Sequence, residues 1–63
     1  MENRRASLSS ASSSLDDLLA RVTESAEELR VGGEEALAYD LYEVERSLRV
    51  AQRRLGAVVR RMR

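Results

Sequence analysis

The clearest pattern in the chain lies in its second half, where apolar residues recur at alternating intervals of four and three. Over residues 34–63 this spacing is unbroken and marks positions a and d of a heptad, with Leu41 at a. No proline interrupts the segment, and most of its other residues favour helix. The pattern therefore predicts one long helix. Its a and d positions are Leu37, Leu41, Val44, Leu48, Ala51, Leu55, Val58 and Met62.

A second heptad occupies the first half of the chain, in a frame that places Leu15 at a. Its apolar positions are Leu15, Leu18, Val22 and Leu29. Ser25 is the one polar d position of this segment. Leu19 and Ala26, like Val59 in the second segment, widen the apolar stripe beyond positions a and d. The pattern predicts a first amphipathic helix.

The sequence RVGGEE, residues 30–35, separates the two patterns. Continuing the first frame through it places Glu43 and Arg46 at core positions, so the frame is broken at the glycines. A turn explains the break if Gly32 takes the left-handed position that ends a helix and Gly33 precedes the next helix. The chain is therefore predicted to be all-α, an antiparallel two-helix hairpin with a heptad seam.

The stretch SLSSASSSL, residues 7–15, decides the length of the first helix. Serine favours caps and turns, so composition alone suggests a polar tail. However, Leu8 and Ala11 continue the heptad at a and d, and a short first helix would leave half of the second helix uncovered. We therefore expect a disordered segment over residues 1–5, a first helix over about 6–31, a turn at 32–33 and a second helix over about 34–62. In this hairpin Leu15 is expected near residue 50.

The chain is short, with 63 residues, and it has neither cysteine nor histidine. A domain of this size buries only about 60% of its unfolded surface, so its own core is marginal. Without disulfides or thiolate metal sites, we expect stabilisation by self-association or by a helical partner. Two hairpins that form a homodimeric four-helix bundle would bury both apolar stripes. The predicted coiled-coil interface comprises Leu8, Leu15, Leu18, Leu19, Val22, Leu29, Leu37, Leu41, Val44, Leu48, Leu55, Val58, Val59 and Met62.

Several classes of function are disfavoured by what the sequence lacks. No run of 18 apolar residues occurs, and the start has no apolar core of a secretory signal, so a cytoplasmic location is expected. The Arg- and Ser-rich start leaves a mitochondrial presequence as an alternative. Without His, Cys or Lys, and without a concave pocket, we expect no enzyme, no cofactor and no small-molecule substrate. A carboxylate metal site is also not expected, because Glu34 is the only acid at an a or d position.

The net charge of zero hides a polarity along the chain. Residues 16–45 hold ten acids and two arginines, whereas seven arginines and no acid follow Glu45. Antiparallel pairing is expected to bring Asp16 and Asp17 near these arginines, which favours the orientation more than the stability. The arginine face is either a solvated outer surface or a contact for nucleic acid, an anionic membrane or an acidic protein. The only aromatic residues, Tyr39 and Tyr42, either pack along their own helix or anchor a partner. Candidate contacts are Tyr39, Tyr42, Arg46, Arg49, Arg53, Arg60 and Arg61.

The residues RRASL, positions 4–8, carry a short modification motif. Two arginines precede Ser7 by three and two positions, and a leucine follows it. This arrangement resembles the substrate pattern of cyclic-AMP-dependent and related basophilic kinases, which makes Ser7 a candidate phosphosite. A phosphate in the first turn of a helix and near Arg54, Arg60 and Arg61 is expected to stabilise the bundle.

These features predict a non-enzymatic interaction or assembly module: a small coiled-coil hairpin adaptor or subunit that self-associates or docks on partner helices. The alternative is a nucleic-acid-binding hairpin or small regulator that uses its arginine face.

Overall fold

Two long helices form the computed structural model, which describes residues 3–62. Helix α1 spans Arg4–Val31 and helix α2 spans Glu35–Arg61. They pack against each other side by side and form a narrow rod of 51 × 14 × 11 Å. The predicted all-α hairpin is confirmed.

Helix α1 begins ahead of the serine-rich stretch and runs through it without a break. Arg4 and Arg5, which the sequence predicted to be disordered, form its first turn, while residues 1 and 2 lie outside the described part of the chain. Leu8, Ser12 and Leu15 are half-buried against α2. Packing along this side compensates for the modest helix propensity of serine. The longer of the two alternatives for α1 therefore describes the fold.

The turn between the helices is a Schellman motif built on the two glycines. Gly32 ends α1 with φ −78°, and Gly33 takes the left-handed conformation with φ 87°. The Gly33 N–H donates to the Arg30 carbonyl at 3.1 Å, and the Glu34 N–H donates to the Leu29 carbonyl at 2.8 Å. The predicted assignment of the left-handed position to Gly32 was wrong: α1 ends at Val31 as expected, but Gly32 is its C-cap with negative φ, and the left-handed residue is the next one, Gly33.

We expect Gly33→Ala to destabilise the hairpin by about 1–2 kcal/mol, since an L-residue is strained in the left-handed region. The cost is conformational rather than steric, because an added Cβ would meet nothing within 4 Å. Gly56→Ala is the matched control: Gly56 lies inside α2 with room for a methyl group, so alanine there should stabilise by about 0.5–1 kcal/mol. Urea unfolding of both variants measures the two shifts, and a Gly33→Ala protein at least as stable as the wild type would contradict this view of the turn.

The contact between the helices uses positions a and e of both heptads. The buried residues among those described are Leu19, Ala26 and Ala38, each 5% exposed or less, and all three lie at e. The a positions are half-buried along both helices. They are Leu8, Leu15, Val22, Leu29, Leu41, Leu48, Leu55 and Met62. At the e position of α2, Val59 is half-buried as well.

The predicted a and d seam is therefore half correct. The d positions Leu18, Leu37, Val44 and Val58 are 37% to 54% exposed and lie beside the helix contact, not in it. The a and e arrangement brings two small residues, Ala26 and Ala38, into the contact near the turn, where they let the helices approach closely. It also brings the polar e residues of α2 within hydrogen-bond distance of α1.

The register also differs from the expected one. Hydrogen bonds join residue 23 to residue 45 and residue 16 to residue 52. Residue 15 is therefore level with about residue 53, three residues beyond the expected position. The turn is tight, because the N–H groups of Gly33 and Glu34 both bond back to α1. This turn fixes the register of the two helices.

Candidate interaction surfaces

One long side of the hairpin, which we call the polar face, is closed by side-chain hydrogen bonds between the helices. The Thr23 hydroxyl donates to the Glu45 carboxylate at 2.7 Å, and this bond is partly buried. The Tyr42 hydroxyl donates to Glu27 at 3.0 Å. Further along the rod, the Gln52 side-chain amide donates to the Asp16 carboxylate. These bonds tie α1 to α2 at three levels on the side that carries their b positions.

Two carboxylates on the polar face are held in their ionised form. Hydrogen bonds from Thr23 and then from Arg49 lower the pKa of Glu45 below its usual value of 4.5. The hydrogen bond from Arg30, followed by that from Tyr42, lowers the pKa of Glu27 in the same direction. The Arg49 bond to Glu45 measures 2.9 Å. Charge-assisted bonds of this kind favour the carboxylate over the neutral acid.

Acid should weaken the hairpin through Glu45. Because its pKa is lower in the folded chain, its contribution is fully present above the unfolded pKa of about 4.5 and is lost as the pH falls through the folded value. We expect the melting temperature to fall between pH 6 and pH 3, and to fall less in Glu45→Gln. Glu24→Gln, which replaces an exposed carboxylate, is the control and should follow the wild type. An equal fall in all three proteins, measured by circular dichroism, would contradict this role of Glu45.

The opposite long side, which we call the open face, is apolar and carries the d positions of both helices. Because the helices run antiparallel and both turn a and e inward, their d positions come to the same side. From α1 they are Ala11, Leu18 and Ser25, and from α2 they are Leu37, Val44, Ala51 and Val58. All seven are exposed. The face therefore presents a row of uncharged, mostly apolar side chains along most of the rod.

A shallow groove runs between the helices at the middle of the open face. It is lined by Leu18, Arg21, Val22, Ser25 and Leu41. Only Arg21 in this set is charged, and a methylene stem of arginine also covers apolar surface. The groove therefore offers apolar side chains of both helices to one occupant.

The two tyrosines have different surroundings near the turn. Tyr42 is half-buried and bonded to Glu27, so it belongs to the contact between the helices. Tyr39 is exposed and lines a second groove with Arg30, Glu35 and Tyr42. Of the two predicted anchors, Tyr39 is the one left for a partner.

The predicted arginine contacts are all exposed on α2. Arg46, Arg53 and Arg60 lie on its outer side, whereas Arg49 lies beside the polar face and Arg61 beside the open face. Arg46 pairs with Glu43 at 3.8 Å and Arg49 pairs with Glu45, so both are neutralised within their own helix. Asp16 reaches the region of Arg49 and Arg53, as expected, and its hydrogen bond there is with Gln52. Within residues 3–62 no ion pair involves the remaining arginines of α2. They are Arg53, Arg54, Arg60 and Arg61.

The hairpin concentrates opposite charges at its two ends. The half nearer the turn, residues 18–50, carries eight carboxylates and four guanidinium groups, a net charge of −4. The half nearer the termini, residues 3–17 and 51–62, carries two carboxylates and six guanidinium groups, a net charge of +4. The zero total is thus a separation of charge along a rod 51 Å long.

Ser7 is exposed in the first turn of α1, level with Arg61 at the basic end. Its N–H donates to the Asn3 carbonyl at 2.9 Å, as in a regular first helical turn. Its phosphorylation remains a prediction. Over the described range 3–62, metal-ligating side chains do not gather in groups of three or more, and neither helix is long and apolar enough to cross a membrane.

The hydrogen-bonded side of the hairpin was missed by the sequence reasoning. Thr23, Glu45 and Gln52 were not among the predicted interface residues, although all three are half-buried. A signal was present: Glu45 and Gln52 occupy successive e positions of α2, and each has a polar residue at the same level of α1. Apolar periodicity ignores such pairs because it scores only hydrophobic side chains.

No protein-family model, curated protein or solved structure significantly matches this chain.

Proposed function

We propose that this protein is a non-enzymatic assembly module that self-associates through its open face into a four-helix bundle. In this role it acts as a small adaptor or assembly subunit, and we place it in the cytoplasm. The observation that carries the proposal is the open face itself: both helices turn apolar d positions outward on the same side.

The need for a partner follows from how little the single hairpin buries. Among the described residues, just three side chains are buried, and two of them are alanines. Burial of apolar surface stabilises by about 25 cal/mol per Å², so a contact of this kind gives a marginal fold. A second apolar layer on the open face would supply the missing core.

Several features support a second copy of the chain as the occupant. The face is long, and its d positions carry no charge, which suits another hairpin of the same length. Homodimers with two-fold symmetry are the commonest oligomers, and a self-complementary face is what they require. The charge separation along the rod makes the molecule complementary to itself.

The concentration dependence of thermal unfolding tests the proposal. If folding and association are coupled, the melting temperature rises with chain concentration by mass action. We expect a rise of several degrees between micromolar and millimolar chain, recorded by circular dichroism. A melting temperature that stays constant over this range would contradict self-association.

The basic end supports a second candidate function, the binding of nucleic acid. Arg53, Arg54, Arg60 and Arg61 form no ion pair within the described residues and lie with Arg5 at one end of the rod. Such a cluster suits phosphate groups. Binding of single- and double-stranded oligonucleotides across a salt series tests it, with a steep loss of affinity expected as salt rises. Absence of binding at low salt removes this candidate.

A further inference from the structure

The charge separation and the open face together define how two copies meet. Resting on the proposed self-association, we propose that the partner is a second copy turned end for end, so that its basic end covers the acidic end of the first. The two turns then lie at opposite ends of the bundle.

Two-fold symmetry allows two ways of joining the open faces. With the axis along the rod, both turns lie at the same end, and α1 covers the partner's α2. With the axis across the rod, the turns lie at opposite ends. In that case α1 packs on the partner's α1, and α2 packs on the partner's α2. Neighbouring helices are antiparallel in both arrangements, so helix dipoles do not choose between them.

Net charge favours the second arrangement, in which the axis lies across the rod. In the first, two halves of net −4 lie together and two halves of net +4 lie together. In the second, each −4 half meets a +4 half. Among these charges, those at the edge of the open face, such as Asp40 and Arg61, come within the screening length of about 8 Å, so the preference is strongest at low salt.

The spacing of the d positions permits either arrangement, and with the axis across the rod it gives matched pairs. Leu18 and Ala51 lie at nearly the same level, since the hydrogen bonds between the helices place residue 18 level with about residue 50. An axis at this level sets each of them against its own copy. Val44 and Val58, each seven residues from Ala51, then come opposite each other across the interface.

The charged residues that flank the open face separate the two arrangements at one position. With the axis across the rod, Asp40 lies beside the partner's Arg61, because the two are almost equally distant from Ala51. With the axis along the rod, Asp40 instead lies beside the partner's Glu28, which is level with it in the register. The first contact is attractive and the second repulsive.

A distance between the turns tests the arrangement directly. Glu34→Cys introduces a single cysteine into a chain that has none, at an exposed residue whose side chain forms no cap. In the end-for-end dimer two spin labels at this residue lie about 50 Å apart. The distance follows from the helical rise of about 1.5 Å per residue between residue 34 and the axis at Ala51, counted once in each copy. With both turns at one end, helix spacings of 8–10 Å place them within about 20 Å.

The outcomes separate this inference from the proposed function. A dimer with the long distance supports both. A dimer with the short distance overturns the end-for-end arrangement and leaves self-association standing. A labelled chain that remains monomeric, like the unlabelled wild type, overturns both.

A charge substitution gives an independent result of opposite sign for the two arrangements. Asp40→Arg should weaken the end-for-end dimer about three- to thirty-fold at low salt, because it turns two attractive contacts into repulsive ones. The exchange Asp40→Arg with Arg61→Asp should restore the affinity. Tighter association of Asp40→Arg alone would overturn the inference, since that result requires the partner's Glu28 at this position.

Discussion

Leu19→Asp is expected to abolish the folded hairpin. Leu19 is 5% exposed and lies at an e position in the contact between the helices. Removing a buried leucine costs about 2–5 kcal/mol, and an unpaired carboxylate in its place costs more. A chain of this length has a total stability of only about 3–9 kcal/mol, so the substitution removes most or all of it.

Circular dichroism measures this loss, and the next residue along the chain is the control. Ala20 is exposed on the outer side of α1, so Ala20→Asp adds the same charge and costs at least as much helix propensity without touching the contact. We expect Leu19→Asp to lose the helical signal at all concentrations and Ala20→Asp to retain it. A helical Leu19→Asp protein would show that e positions do not form the contact.

Leu18→Asp is expected to separate folding from association. Leu18 lies at the centre of the open face and lines its groove, outside the contact between the helices. In the dimer the substitution brings two carboxylates into an apolar interface. We expect association to weaken at least about 100-fold, equivalent to about 2.7 kcal/mol, while the hairpin contact is preserved.

Sedimentation equilibrium measures the affinity of this variant, and its melting temperature gives a second readout. The melting temperature should be lower than that of the wild type and should no longer rise with concentration. Ala20→Asp again controls for the added charge and should associate like the wild type. If Leu18→Asp and Ala20→Asp associate equally well, the open face is not the interface.

The fold could be predicted because the two helices and the turn between them depend on residues that are close together in the sequence. An unbroken alternation of fours and threes around Leu41 and Leu48 is enough to predict α2, and the two glycines are enough to break the frame. The helical state of the serine-rich stretch was predictable only from the hairpin as a whole. Leu8 and Leu15 keep their phase across it, and α2 is long enough to cover them.

The choice between positions d and e was not predictable from apolar periodicity. Both positions flank a, and both carry apolar residues, as Leu18 and Leu19 show within one turn of α1. Hydrogen bonds and small side chains favour position e: the Thr23 hydroxyl bonds to Glu45, and Ala26 is fully buried. These effects depend on which residues of the other helix lie at the same level. That register is set by the conformation of Gly33, which sequence spacing does not give.

Apolar periodicity also could not divide the candidate interface residues between the helix contact and the open face. Leu37, Val44 and Val58 were predicted as interface residues, and the structure places them on the open face. They are 37% to 54% exposed there, because α1 packs mainly against the other side of the a row.

The molar mass of the wild-type protein in solution is the most direct test of self-association through the open face. Light scattering on the freshly eluted protein should give twice the chain mass of 7.1 kDa, and Leu18→Asp under the same conditions should give the chain mass itself. A fully helical wild-type protein with a mass of 7.1 kDa at high concentration would contradict the account.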